Sequence, residues 1–173
     1  ADAVMLSAET ASGQYPVESA AMQQRIAITM ERYLPYTQLA NFGYNYSKKE
    51  RNDAIATSVA STANLIDAKA IVCFSETGNS AIRISKSRPK CPIVMITSSP
   101  CAGMKVAPYF GVFSIVVKKL PQLIEDMEAF SLIKMRQLGL MAKDNIIITG
   151  GTPTGTGTTN FLRIVAVNEI GDL

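Results

Sequence analysis

What most constrains this chain is a set of short, continuously apolar runs at 70–74, 93–97, 112–117 and 146–149, separated by stretches with helical spacing. A strand that is apolar at every position belongs to a sheet covered on both faces, because a sheet with one wet face alternates apolar and polar residues. Parallel neighbours need a crossover long enough to hold a helix. Residues 80–87, 102–107 and 120–138 supply that spacing. The expected fold is therefore α/β, a three-layer open sandwich around a mainly parallel five-stranded sheet. The fifth run, 161–167, follows the eleven residues 150–160, too few for a crossover helix. It must return antiparallel beside 146–149, at or near a sheet edge.

Upstream, residues 3–6 read as a brief strand entering the polar loop 7–13. Val17, Ala21, Met22, Ile26 and Met30 then mark one face of a helix that Pro16 opens and Pro35 ends. Between 36 and 50 the periodicity dissolves, which places a connector there and a new domain from residue 51. Asp53 is expected to cap the next helix, whose face is Ile55, Val59, Ala63 and Ile66. The methionines at 22, 30, 127, 135 and 141 fall at apolar helical positions and are expected in the core.

Composition excludes several classes. With 47% hydrophobic and 18% charged residues and a net charge of +3, the chain has the make-up of a soluble globular protein. Lys48, Lys49 and Arg51 form the only tight basic group, so no nucleic-acid footprint is expected, and no apolar run could span a membrane. There is no histidine, and Cys73, Cys91 and Cys101 form no CxxC pair, which argues against zinc and against a thiol nucleophile and suits a reducing cytoplasm. Glu9, Glu18, Glu31 and Glu76 are dispersed, and Glu125, Asp126 and Glu128 read as a solvated helix face, so no metal constellation emerges. The chain opens on Ala1 with neither an initiator Met nor a signal-peptide pattern, and reads as a fragment.

Two segments could carry ligand chemistry. The first, Ser75-Glu76-Thr77-Gly78-Asn79-Ser80-Ala81, leaves a strand and opens a helix with three hydroxyls. Backbone N–H groups and hydroxyls meeting at a helix start favour an anion by roughly 0.3–1 kcal/mol per exposed dipole contact. Glu76 opposes a phosphate, and an ordinary capped helix start is the commoner reading of such a turn. The second is the loop 150–160, built only of Gly, Thr, Pro and Asn. It lacks the lysine of a P-loop and enters a strand instead of a helix, so a nucleotide-hydrolase site is excluded. A hydroxyl-rich lid over an anion and a mobile surface loop are equally good readings.

The opening Asp2-Ala3-Val4-Met5-Leu6-Ser7-Ala8-Glu9-Thr10-Ala11-Ser12-Gly13-Gln14-Tyr15-Pro16 closely resembles the stretch around the eighth barrel strand of pyruvate kinases, with Ala8 where that family commonly has glycine. Thr77-Gly78-Asn79-Ser80-Ala81, Arg88-Pro89-Lys90-Cys91-Pro92-Ile93 and Gly157-Thr158-Thr159-Asn160 resemble the same family's C-terminal domain in the right order. The Gly-Thr-Thr-Asn ending looks more like bacterial members than animal ones.

The resemblance implies a cytoplasmic glycolytic enzyme that moves phosphate from phosphoenolpyruvate to ADP, with Mg2+ and K+ in the intact protein and none bound by this part. It implies residues 1–35 as the end of the catalytic (β/α)8 barrel, 36–50 as connector and 51–173 as the allosteric domain. Ser7 and Glu9 would line the catalytic pocket. Ser75, Thr77, Gly78, Asn79 and Ser80, with Thr156, Gly157 and Thr158, would hold an effector phosphate. At Met127, matched to an arginine that takes a second phosphate in relatives, the lack of a base favours a sugar monophosphate or AMP over fructose bisphosphate. Family members are usually tetramers joined through their final strands, so a homo-oligomer is expected. The contrasting reading is a small-molecule-binding module with no catalytic role, which would have no use for residues 1–34.

Overall fold

Strand β1 (Ala70–Phe74) is buried at every position and pairs in parallel on both sides, with β2 (Ile93–Thr97) and with β4 (Asn145–Gly150). The structure, a computed structural model, describes residues 1–36, 38–39, 50–152 and 159–167. It divides into two compact units, residues 1–35 and 36–173.

In the larger unit β3 (Val112–Val116) adds in parallel to β2, and β5 (Phe161–Ala166) adds antiparallel to β4, giving the order β3-β2-β1-β4-β5. The mainly parallel sheet with an antiparallel last strand is the one expected. Helices α3 (Arg51–Leu65), α4 (Asn79–Lys86) and α5 (Pro100–Val106) pack on one face, where Val59, Ala81, Ile84 and Val106 meet Ile71, Cys73, Ile93, Met95 and Ile147. Helix α6 (Ile124–Gln137) covers the other face, setting Met127, Leu132 and Met135 against Val72, Ile96, Ile146 and Ile148. Small buried residues at Ala56, Ala60 and Ala63 let α3 approach the sheet closely. An ion pair from Arg163 to Glu128, 2.7 Å, ties the edge strand β5 to α6.

The smaller unit holds the single turn α1 (Ala8–Ala11) and the helix α2 (Pro16–Glu31). Three expectations fail here, the first and the third for want of packing partners. Residues 3–6 form no strand, since a strand exists only beside another. Residues 8–11, read as loop, make a helical turn that Ser7 closes by accepting from the N–H groups of Thr10 and Ala11. The apolar stripe of α2 stays open, with Met22, Ile26 and Met30 each about half exposed or more.

Elsewhere, Met141 is exposed while Met127 and Met135 are buried. Asp53 does not cap α3: the N-cap is Glu50, without a side-chain cap bond, and Asp53 instead meets Arg83. Cys101 lies in the first turn of α5.

Because Ile71 is fully buried in the central strand, Ile71→Ala should cost about 2–5 kcal/mol through lost transfer energy plus a cavity. Phe113→Ala on the edge strand, at a side chain 63% exposed, should stay within about 0.5 kcal/mol. Urea midpoints of the two variants measure the contrast.

Candidate functional site

Parallel strands β1, β2, β3 and β4 send their carboxyl ends to one edge of the sheet. Strand order reverses at β1: the chain steps outward through β2 and β3, then returns to β4 on the other side. The helix after β1 lies on one face and the helix before β4 on the opposite face. The loops following β1 and β4 therefore flank a crevice, the place where ligands settle in open α/β sheets.

The turn after β1 is built from its own hydroxyls. Ser75 is buried and its Oγ accepts the Gly78 N–H at 3.1 Å. Gly78, the N-cap of α4, takes a left-handed φ of 79°, and a Cβ there would come within 2.7 Å of Val106. Both conditions demand glycine. Thr77 and Asn79 are exposed, and the Asn79 N–H reaches toward Thr77 Oγ1 at 3.5 Å. Glu76 is engaged sideways, accepting from Ser98 Oγ at 2.6 Å.

Ser80 points elsewhere. Its Oγ lies 2.5 Å from Oγ1 of Thr159, the buried residue that ends the Gly/Thr stretch. Thr156, Gly157 and Thr158 lie outside the described residues. What is described is the base of their loop, clasped by Asn160: its Nδ2 donates to Thr152 O at 2.7 Å, and its Oδ1 accepts from Thr152 N at 3.1 Å. Gly150 makes that closure possible, because a Cβ there would meet the Phe161 ring and Phe74 Cβ at 3.3 Å. Thr159 N–H donates to Asn52 Oδ1 at 3.2 Å, bringing the start of α3 into the cluster.

Sequence reading missed two cations. Lys105, in the last turn of α5, donates from Nζ to Asn79 Oδ1 at 2.9 Å and to Thr77 O at 3.3 Å. Arg83, one turn beyond Ser80 on α4, donates to Asp53 Oδ1 at 2.5 Å and to Glu50 Oε2 at 3.1 Å. Nothing local in the sequence marks either residue, since each finds its partner across a crossover.

Met127 corrects the reading in the other direction. It is fully buried in the core under α6, on the face opposite α4, so its lack of charge says nothing about a second phosphate.

In the smaller unit Ser7 and Glu9 are exposed neighbours, with the Ser7 N–H donating to Glu9 Oε2 at 3.0 Å. Glu9's own backbone N–H first, and Ser7's second, hold that carboxyl below its ordinary pKa.

Burial pushes the Cys73 thiol up to about 12. It also pushes Cys91 up to about 11, against a lowering by that residue's own N–H and with the Asp67 charge adding to the rise. At pH 8 both stay protonated, because a thiolate forms only near and above its pKa. Among the described residues no group of three or more Cys, Asp or Glu comes together as a metal site, and no helix is long and apolar enough to cross a membrane.

Strand order, the lone antiparallel edge strand and a hydroxyl-lined helix start beside the reversal point define an open α/β domain with its switch point at the carboxyl edge of the sheet. The pattern of the family described as "Pyruvate kinase, alpha/beta domain" matches residues 53–165. The chain is 36% identical over 173 residues to a pyruvate kinase of Sporosarcina psychrophila, covering 99% of this chain and 29% of that protein. It is 34% identical to one of Geobacillus stearothermophilus, with 98% and 29% covered. A solved pyruvate kinase from Cryptosporidium parvum superposes with a TM-score of 0.84 at 28% identity, over 95% of this chain and 32% of that one. The chain belongs to the pyruvate kinase family, and it spans about three-tenths of the length of these relatives.

Two outcomes follow from this geometry. Gly78→Ala should destabilise the unit by at least about 1–2 kcal/mol from the left-handed backbone alone, before the Val106 clash is relieved, as read by urea unfolding. A disulfide-exchange reagent at pH 8 should titrate Cys101 alone in the folded chain, and Cys73 and Cys91 only after denaturation.

Proposed function

We propose that this chain is the C-terminal regulatory and assembly part of a pyruvate kinase, and that it binds a phosphorylated small molecule at the turn 75–80. The intact enzyme would transfer phosphate from phosphoenolpyruvate to ADP. Residues 1–35 would complete its barrel, with Ser7 and Glu9 at the rim of the catalytic pocket. Mg2+ and K+ would serve that pocket through groups that the described residues here do not bring together. Neighbouring copies would meet along β5, an edge strand with Ile164 half exposed, in a cytoplasmic tetramer.

The observation that carries the effector reading is the contact of Ser80 Oγ with Thr159 Oγ1. A helix start and the end of a glycine-threonine loop, 79 residues apart in sequence, share one hydroxyl pair at the reversal point of the sheet. The N–H groups of the first turn of α4 and the Ser80 hydroxyl suit an anion. Thr77, Gly78 and Asn79 would supply the rest, with Thr156, Gly157 and Thr158 closing over it. Lys105 brings one positive charge to the turn, enough to balance part of one phosphate. A sugar monophosphate or AMP is therefore the preferred ligand over fructose bisphosphate.

Calorimetric titration with ribose 5-phosphate, glucose 6-phosphate, AMP and fructose bisphosphate tests the reading. At least one monophosphate should bind, and Ser80→Asp should weaken it roughly tenfold or more by placing a second anion on the helix start. Absence of heat from all four ligands would refute the assignment. The 173-residue chain by itself should show no phosphate transfer from phosphoenolpyruvate to ADP in a coupled assay, since residues 1–35 alone cannot close a barrel.

A further inference from the structure

We infer that Thr159 and Asn52 form a relay through which an anion seated on Ser80 fixes the first turn of α3. The inference rests on the reading of residues 75–80 as an anion site.

A serine or threonine hydroxyl has one proton to give and two lone pairs. At 2.5 Å, Ser80 Oγ and Thr159 Oγ1 are hydrogen bonded, and either can be the donor. A phosphate monoester dianion only accepts, so an anion at the start of α4 claims the single Ser80 proton. Ser80 can then only accept from Thr159, and the two-way pair becomes one directed chain from Thr159 to Ser80 to the anion. Hydrogen bonds in such a chain polarise and strengthen one another.

Thr159 carries that change onward through its backbone. The residue is 9% exposed, and its N–H donates to Asn52 Oδ1 at 3.2 Å. Fixing the hydroxyl narrows the positions open to the N–H, and so to Asn52. Asn52 is the second residue of α3, which begins without a side-chain cap at Glu50. An uncapped first turn is the least stable part of a helix, and so the part a single added restraint can shift.

Arg83 provides a second tie between the same two helices. It bonds Asp53 and Glu50, and these bonds outweigh a burial that opposes its charge. That tie does not involve Ser80 and holds with or without ligand. The hydroxyl relay alone depends on occupancy, and it delivers the change at residues 51–56, directly after the stretch 36–50 read as the connector.

Hydrogen exchange followed by mass spectrometry on the 173-residue chain, with and without the monophosphate that calorimetry shows to bind among ribose 5-phosphate, glucose 6-phosphate and AMP, tests this. Exchange at residues 51–56 should slow roughly threefold to tenfold on binding, the size of one net hydrogen bond. Thr159→Val and Asn52→Ala should still bind the monophosphate, weakened by no more than the same roughly threefold to tenfold, and should lose the slowing, whereas Asn52→Asp, which retains an acceptor, should keep it. Arg83→Met should speed exchange at 51–56 in both states yet preserve the change between them. Binding heat with unchanged exchange at 51–56 in the native chain would overturn the relay and leave the anion site standing. With fructose bisphosphate as the one binder the same exchange comparison is made with it, and no heat from any of the four would overturn both.

Discussion

The arrangement depends on β1 being paired in parallel on both of its edges and covered on both of its faces. A five-residue strand so placed has no wet side, which is why Ala70-Ile71-Val72-Cys73-Phe74 contains no polar residue. Parallel pairing then fixes direction: β1, β2, β3 and β4 end at the same edge, and each crossover brings a helix back over a face. Because β2 lies on one side of β1 and β4 on the other, the turn after β1 cannot be shielded by a neighbouring loop running the same way. The crevice beside residues 75–80 follows from that reversal.

Polar groups exposed at the crevice find partners across long sequence separations. The Gly78 N–H is satisfied within its own turn by Ser75, while Ser80 is satisfied by Thr159, Thr159 by Asn52, and Asn79 by Lys105. Gly150 and Asn160 shape the approach: the first leaves room for the Phe161 ring, and the second clasps Thr152 from both ends of its amide. The long loop therefore returns to a fixed point, with Thr159 delivered against the helix start.

Much of this was legible in the residues. Continuous apolar runs gave the strands to within a residue or two, and the shortness of 150–160 gave the antiparallel return of β5. Two of the hydroxyl-bearing segments were singled out from composition alone. Periodicity carries no information on strand order, so the reversal at β1 and the partnerships of Lys105, Arg83 and Asn52 could not be read. A local rule misled where a tertiary partner won: Asp53 looked like a cap and was taken instead by Arg83, whereas the helical spacing of Met127 placed it correctly in the core, and only the family resemblance had set it at a phosphate position. In the smaller unit the pattern was right and the burial was not, since Met22 and Met30 carry helical spacing with nothing in that unit to cover them.

The central claim is that the start of α4 and the end of the glycine-threonine loop are one energetically coupled site. A double-mutant cycle on unfolding free energy, using Ser80→Ala, Thr159→Val and the pair, measures that coupling directly. The account requires an interaction energy of about 0.5 kcal/mol or more between the two hydroxyls, with the double variant costing less than the sum of the singles. Additivity within about 0.3 kcal/mol would show that the two hydroxyls do not act together, and the site would lose its foundation.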